Sequence, residues 1–169
     1  MIILESLYFF LPAYLANMAP VLFKWLPFAR KPINQEVFGK NKTWRGLLVA
    51  VTVGTLTFYL QKIGYQSGFT EWALIDYTDF SLLLGFLLSS GAILGDLVKS
   101  YYKRKMKIKE GTPWPFWDQL DFVFGAFLFS FFVYVPPAEV AAIIFISSPL
   151  LHIAFNHLGY FLGIRDVKF

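Results

Sequence analysis

The chain lacks cysteine altogether and has few charged residues. Without cysteine, disulfide scaffolds, thiolate metal sites and cysteine nucleophiles are excluded. Charged residues make up only 15% of the 169 residues, below the share of about 25% that is usual in soluble domains. Hydrophobic residues reach 57% and aromatic residues 20%. This composition predicts a membrane protein whose chemistry depends on oxygen and nitrogen groups.

Long apolar runs recur along the chain and predict an all-α, polytopic protein. Five of these runs reach or approach the roughly 20 residues that cross a bilayer as a helix. No repeat, low-complexity tract or soluble segment separates them, so we expect a single transmembrane domain over residues 1–169. The five predicted transmembrane helices cover residues 2–25, 46–64, 80–101, 119–135 and 138–162.

Basic residues are distributed unevenly around the predicted helices. The loops after the first and third helices hold most of the cations, and the positive-inside rule places both loops in the cytoplasm. The N-terminus is then outside, and the C-terminus, with Arg165 and Lys168, is inside. We therefore expect a multi-pass protein of the cell membrane whose active site faces the cytoplasm. The loop cations are Lys24, Arg30, Lys31, Lys40, Lys42, Arg45, Lys99, Lys103, Arg104, Lys105, Lys107 and Lys109.

Three aspartates lie at or inside the predicted helices. Asp96 follows a long apolar run within the third helix, where burying a carboxylate costs about 2.5 to 3.5 kcal/mol. Asp118 and Asp121 lie on one face at the start of the fourth helix, where the two carboxylates repel each other. A divalent cation would relieve that repulsion. Metal binding is not the only interpretation of these aspartates. Asp96 could instead form a salt bridge with a lysine, and Asp118 could simply stabilise the N-terminus of its helix through the helix dipole.

Small residues occur on the third and fourth predicted helices. Such residues allow membrane helices to approach closely, and a close approach here would bring the three aspartates together. The residues concerned are Gly85, Gly91, Gly95, Gly125, Ser89 and Ser90.

The surroundings of the aspartates indicate a metal and an anionic substrate. Carboxylates without nearby histidine or cysteine favour Mg²⁺ or Ca²⁺, and Mg²⁺ typically combines one or two carboxylates with substrate phosphates. Lys99, Ser100 and Lys103 share the helical face of Asp96, so cations surround the predicted metal position. We therefore predict Mg²⁺ as the cofactor and a multiply anionic substrate, with no nucleic-acid partner. The predicted metal ligands and catalytic residues are Asp96, Asp118 and Asp121.

A second polar cluster leads into the second predicted helix. Its cations and the hydroxyl of Thr43 can hold phosphate oxygens, while its glycines permit close backbone approach. It is equally consistent with the sequence that these cations only set the membrane orientation of the helix, according to the positive-inside rule. Asn17, followed by Pro20 as a predicted interruption of the first helix, is a further pocket candidate, with helix packing as the alternative. The cluster consists of Lys40, Lys42, Thr43, Arg45 and Gly46.

These motifs resemble those of the compact archaeal branch of the phosphatidate cytidylyltransferase superfamily, the CDP-archaeol synthases. The resemblance covers the whole chain. Arg45 stands where the bacterial enzymes have glutamate, and Gln119 where they have arginine, so those contacts are not carried over. The matching positions are Lys42-Thr43-Trp44-Arg45-Gly46, Gly95-Asp96-Leu97, Lys99-Ser100, Lys103-Arg104, Pro115 and Asp118-Gln119-Leu120-Asp121.

The resemblance implies a reaction and a set of substrates. It implies transfer of a cytidylyl group from CTP to 2,3-bis-O-(geranylgeranyl)-sn-glycerol 1-phosphate, an isoprenoid ether-lipid phosphate, with release of pyrophosphate. It adds Arg104 and Pro115 to the expected substrate-binding residues, and it implies a small helical bundle open to membrane lipids. Two other functions stay open, a CDP-alcohol phosphotransferase and a small cation transporter with Asp96 on its path. The sequence does not predict an oligomeric state.

Overall fold

The structure is a computed structural model that describes residues 1–110, 112–161 and 163. Arg165 and Lys168, which we expect on the cytoplasmic side, lie outside the described residues. Within these residues all regular structure is helical apart from one isolated bridge between Pro32 and Thr43. The all-α prediction is therefore confirmed for this part of the chain. The helices are α1 (Ile2–Phe9), α2 (Leu11–Leu22), α3 (Gln35–Phe38), α4 (Trp44–Gln66), α5 (Leu83–Lys105), α6 (Trp117–Ser130) and α7 (Ala138–Phe161).

Three helices of the described chain, α4, α5 and α7, are individually long and apolar enough to cross a membrane. A fourth span results if α1 and α2, which meet at 49°, are counted as one. Helix α6 has 14 residues, a length of roughly 21 Å against a hydrocarbon core of about 30 Å. The fourth transmembrane helix was predicted over 119–135, but the observed helix ends at Ser130. Because α6 is shorter than the hydrocarbon core, the count of five spans stays a prediction.

The first predicted helix, 2–25, is broken, but at a different place from the one expected. The break lies at Phe10, because Pro12 has no backbone N–H to continue the hydrogen-bond ladder from α1. Pro20, the predicted interruption, lies inside α2, which continues to Leu22. The helix ends within a turn of Pro20, so the ladder that this proline could disrupt is short.

Helices α5 and α6 pack with their backbones in close contact. A Cβ atom at Gly91 would overlap the backbone of Gly125, and one at Gly95 would overlap the carbonyl of Asp121. The prediction that glycines allow these helices to approach is confirmed at these three positions. Gly85 and Ser89 face α4 instead, where they contact Phe58 and Gly54.

The first basic loop folds back on itself before α4 begins. The amide of Ile33 donates to the carbonyl of Lys42 at 2.8 Å, and the amide of Arg45 donates to the carbonyl of Ala29 at 2.8 Å. The loop also reaches the second basic loop, since the amide of Lys40 donates to Glu110 Oε1 at 3.1 Å. The two basic loops therefore meet at one end of the bundle.

Candidate active site

A polar cavity of about 690 Å³ lies at the end of the bundle where the basic loops meet. Its walls come from α2, α4, α5, α6 and α7 and from both loops. It brings together most of the residues that the sequence singles out. These are Asn17, Lys40, Lys42, Thr43, Arg45, Gly46, Asp96, Lys99, Lys103, Asp118 and Asp121.

The ammonium group of Lys99 lies among the three aspartates. Its Nζ is 3.0 Å from Asp96 Oδ1, 3.0 Å from Asp118 Oδ1 and 2.7 Å from Asp121 Oδ2. The close packing of α5 on α6 creates this arrangement, because Asp96 and Lys99 lie on one helix and the other two aspartates on its neighbour. The site therefore contains a cation of its own at the point where the carboxylates converge.

Asp96 has a second cationic partner from the first basic loop. The ammonium of Lys42 donates to Asp96 Oδ2, while Lys99 donates to Asp96 Oδ1 at 3.0 Å. Both carboxylate oxygens of this buried residue are thus neutralised. The backbone pairing of the first loop positions Lys42, because the carbonyl of this residue accepts from Ile33.

Asp118 is held by the loop that precedes its own helix. The amide of Trp114 donates to Asp118 Oδ2 at 2.5 Å, and Lys103 Nζ lies 3.1 Å from both carboxylate oxygens. Lys103 also donates to the carbonyl of Thr112 at 2.7 Å. These contacts tie Thr112 and Trp114, which precede α6, to the side chains of Lys103 and Asp118. They also keep Lys103 beside Asp118 in the cavity wall.

Asp121 is the most deeply placed carboxylate of the three, with 4% of its side chain exposed. Its Oδ1 accepts from the amide of Phe122 at 2.7 Å. Its Oδ2 lies 2.7 Å from the Lys99 ammonium and has no aligned hydrogen-bond donor among the described residues. Asp121 therefore retains an oxygen with unused capacity to bind a cation or a hydrogen-bond donor.

The donor set fits magnesium chemically, although no cage for it is already formed. Among the described residues, no three acidic or histidine side chains are arranged to hold a metal ion by themselves. The Lys99 ammonium takes the space between the carboxylates instead. Magnesium needs only one or two carboxylates when substrate phosphates and waters complete its octahedron. The buried, unaligned oxygen of Asp121 is a suitable hard donor for it.

The residues at the start of α4 combine structural and binding roles. Thr43 Oγ1 accepts from the amide of Gly46 at 3.1 Å and so caps the helix. Arg45 donates to the carbonyl of Leu26 at 2.9 Å, which fixes its guanidinium at the cavity wall. A Cβ at Gly46 would lie 3.3 Å from Pro20 Cβ, so the glycine permits α4 to begin close to α2.

Three predicted substrate-binding residues do not line the cavity. Ser100 is buried and donates to the carbonyl of Asp96 at 2.8 Å, so its hydroxyl is engaged within its own helix. Arg104 lies on α5 beyond the cavity wall. Pro115 is exposed, and the neighbouring residues Thr112 and Pro113 reach the cavity in its place. The substrate contacts predicted for these three residues have no support in the cavity geometry.

The cavity also contains residues that sequence reasoning did not single out. Lys24 lies in the turn that follows α2, and a cation this close after Asn17 could have identified it. Thr112 and Pro113 enter through the closed loop before α6. His152 of α7 also lines the cavity, and its isolated position in an apolar helix gives no signal of this in the sequence.

A second, apolar cavity of about 520 Å³ adjoins the polar one between α5 and α6. Lys99 and Asp121 line both cavities. The other walls of the second cavity are almost entirely hydrophobic, aromatic or glycine. They include Leu94, Val98, Tyr102, Trp114, Trp117, Phe124, Leu128 and Phe129. A charged site and a space suited to hydrocarbon thus share one boundary.

Known proteins are similar to this chain over nearly its whole length. The CarS-like family, described as CDP-archaeol synthase, matches residues 1–169. The CDP-archaeol synthase of Methanocaldococcus jannaschii is 34% identical, covering 98% of this chain and 97% of the relative. That of Pyrococcus furiosus is also 34% identical, covering 94% and 93%.

A solved structure shares the fold as well. It is described as an intramembrane enzyme for archaeal membrane lipids biosynthesis. It superposes with a TM-score of 0.69 at 31% identity, covering 91% of this chain and 94% of the other. The full-length family match, the similar relatives and the shared fold agree with the motifs around the three aspartates. The chain therefore belongs to the CDP-archaeol synthase family.

Proposed function

We propose that this protein transfers a cytidylyl group from CTP to 2,3-bis-O-(geranylgeranyl)-sn-glycerol 1-phosphate. A phosphate oxygen of the lipid attacks the α-phosphorus of CTP, the bond from that phosphorus to the bridging oxygen breaks, and pyrophosphate leaves. The products are the CDP-activated ether lipid and pyrophosphate. One observation carries this proposal: a cavity that gathers three carboxylates and several cations opens beside an apolar cavity.

The acceptor needs positioning more than activation. The second pKa of a phosphate monoester is near 6, so much of the lipid phosphate is a dianion at neutral pH. No general base is then required. The main barrier is the approach of this dianion to the polyanionic nucleotide, and preorganised cations lower it.

The cavity cations supply that preorganisation. Lys42 and Lys103 are held by Asp96 and Asp118, and Arg45 is held by the carbonyl of Leu26. Since these groups are already ordered, little conformational entropy is lost when they bind phosphate oxygens. Lys24 and Lys40 add positive charge to the same wall. We assign the triphosphate to this side of the cavity.

We assign the divalent cation, Mg²⁺, to Asp96, Asp118 and Asp121. When bound, it supplies charge neutralisation to the nucleotide phosphates and makes pyrophosphate a better leaving group. The support is the convergence of these three carboxylates on one ammonium and the buried Asp121 oxygen that lacks an aligned donor.

We assign the part of the isoprenoid chains nearest the glycerol to the apolar cavity. Its walls offer hydrocarbon and aromatic surface, with Lys99 and Asp121 at the boundary to the polar cavity. A lipid bound there would present its phosphate to the polar cavity, so binding orients the acceptor without further groups. Hydrophobic contact is not very specific for chain shape, and we expect tolerance of other long chains.

We further propose five transmembrane helices, with α1 and α2 as one bent span and α6 as a short one. The N-terminus is outside, the C-terminus is inside, and the polar cavity faces the cytoplasm, where CTP is made. The meeting of the two basic loops at one end of the bundle supports this orientation. The protein is then a multi-pass protein of the cell membrane.

The test is product formation by the purified protein with labelled CTP, Mg²⁺ and the lipid phosphate. We expect labelled CDP-lipid when the α-phosphate carries the label, together with pyrophosphate. Asp118→Asn and Asp121→Asn should largely abolish both products. Each removes a negative charge from the convergence point, the place where the three aspartates meet the Lys99 ammonium. Asp79→Asn, a change of an exposed aspartate between α4 and α5, should leave the rate unchanged.

The same assay separates the other functions. A CDP-alcohol phosphotransferase would consume CDP-lipid and release CMP, and a cation transporter would form neither product. Full activity of both Asp118→Asn and Asp121→Asn, in protein that melts like the wild type, would contradict the assignment of the metal to these residues.

A further inference from the structure

We propose that Lys99 is an internal counter-cation that holds the three carboxylates together in the absence of metal and moves to the acceptor phosphate when magnesium binds. This inference rests on the proposed function, because it concerns the order of events at the same site. It assigns to Lys99 a role different from that of the other cavity cations.

Lys99 contacts several aspartates, whereas each neighbouring lysine contacts one. Lys42 contacts one aspartate, Asp96, and Lys103 contacts one aspartate, Asp118. Lys99 alone among these lysines contacts all three carboxylates, at 2.7 to 3.0 Å. A divalent cation drawn to any of these oxygens would compete with the ammonium, because two cations held close together repel each other strongly.

The charges around the site also indicate an exchange. The three aspartates are balanced by three lysines, namely Lys42, Lys99 and Lys103. A divalent cation entering this neutral group would leave two surplus positive charges. If Lys99 moves away from the carboxylates, one of these two surplus positive charges leaves with it. The Lys99 ammonium can then bind an incoming anion. Burying the extra charge without such an anion is unfavourable.

The boundary between the two cavities provides the destination. Lys99 lines the apolar cavity as well as the polar one, and so does Asp121. A lipid with the first part of its chains in the apolar cavity would bring its phosphate to this boundary. The flexible four-carbon stem of lysine allows its ammonium to turn from the carboxylates toward that phosphate. Lys99 would then hold the acceptor while the metal binds the carboxylates.

This exchange couples the two ligands. A lipid phosphate that binds the Lys99 ammonium weakens its hold on the carboxylates and so favours metal binding. Because coupling between two equilibrium binding sites is reciprocal, bound metal must favour binding of the lipid phosphate to the same extent. Metal would therefore bind weakly to protein that has no acceptor, which limits unproductive turnover of CTP.

The first experiment measures Mn²⁺ binding to the purified full-length protein without nucleotide or lipid. We expect Lys99→Gln to bind Mn²⁺ about tenfold more tightly than the wild type, or better, because the competing cation is gone. Lys105→Gln, the same change at an exposed position near the end of α5, should bind Mn²⁺ like the wild type. Equal or weaker binding by Lys99→Gln would overturn the proposal.

A second experiment needs no substitution, in case Lys99→Gln does not fold. The wild-type protein is exposed briefly to an amine-acylating reagent with and without Mg²⁺, and each lysine is quantified by mass spectrometry. We expect Mg²⁺ to raise modification of Lys99 by about threefold or more, since a side chain released from the three carboxylates is more accessible to the reagent. Lys105 should not change. Unaltered modification of Lys99 in saturating Mg²⁺ would refute the exchange.

A third experiment tests whether Lys99 binds the phosphate of the lipid acceptor. If Lys99→Gln retains turnover, its KM for the lipid phosphate should rise about tenfold or more, while its KM for CTP changes much less. A rise confined to the KM for CTP would place Lys99 on the nucleotide instead. Failure of the wild-type protein to make CDP-lipid would contradict the proposed function, whereas the Mn²⁺ and labelling results are read without catalysis.

Discussion

At the scale of single residues, the first basic loop reaches the buried carboxylates through one side chain. Lys42 donates to Asp96 from a loop that is distant in sequence from α5. Lys31, by contrast, has an exposed side chain and takes part in the loop through its carbonyl, which accepts from Trp44. Cations of the same loop therefore differ in function, although the sequence presents them as one cluster.

The change of Lys42 to methionine tests this difference. We expect kcat/KM for CTP to fall about 10- to 100-fold, because an interaction with a charged group contributes about 1.5 to 3 kcal/mol. Lys31→Met, in the same loop, should retain nearly full activity. Steady-state kinetics with the purified variants decides the matter, and equal losses in both would mean that the loop acts only through its net charge.

At the scale of elements, the contact between α5 and α6 determines the geometry of the site. Gly95 lies next to Asp96 and packs against the carbonyl of Asp121, so the helices are in close backbone contact beside the carboxylates. This close approach lets one ammonium contact aspartates from both helices. Separation of the two helices by even a fraction of an ångström would disperse the convergence point.

Gly95→Ala is expected to weaken both folding and activity. The added methyl group would overlap backbone rather than a movable side chain, so about 1 to 3 kcal/mol of destabilisation follows from overpacking. Thermal unfolding in detergent and the CDP-lipid assay measure the two effects. In the matched change Gly64→Ala on α4, the nearest atom lies 4.0 Å from the added methyl group, so the melting temperature should not fall and can rise slightly. Wild-type melting of Gly95→Ala would show that the helices can separate freely.

At the scale of the whole molecule, the site depends on both basic loops lying on the same side of the membrane. The absence of cysteine makes this directly testable, because any introduced cysteine is the only thiol in the chain. Glu36→Cys and Lys107→Cys mark the two basic loops, and Glu71→Cys marks the exposed segment between α4 and α5.

We expect a membrane-impermeant maleimide to label the two loop positions from the cytoplasmic side only. Glu71→Cys should be labelled only from the outside, because an odd number of spans separates it from each basic loop. Right-side-out and inverted vesicles provide the comparison. Labelling of all three positions from one side would exclude the proposed topology.

Much of the site follows from local patterns in the sequence. The apolar runs predict the helices within a few residues at most ends, since hydropathy and helix length are local properties. The glycines on α5 and α6 correctly indicate a close contact. The predicted interruption at Pro20 is wrong, because the break lies at Phe10, where Pro12 has no N–H to continue the ladder of α1.

The sequence by itself determines that this is a helical membrane protein with three carboxylates and two basic loops, and its motifs place it in a family. Only the tertiary structure decides how these groups meet. Lys99 was predicted as one cation among several, yet packing puts its ammonium between the three aspartates. Ser100 and Pro115 fall outside the cavity, whereas His152 enters it. The reason is physical: composition and spacing set which face a side chain occupies on its own helix, but contacts between helices distant in sequence decide what that face meets.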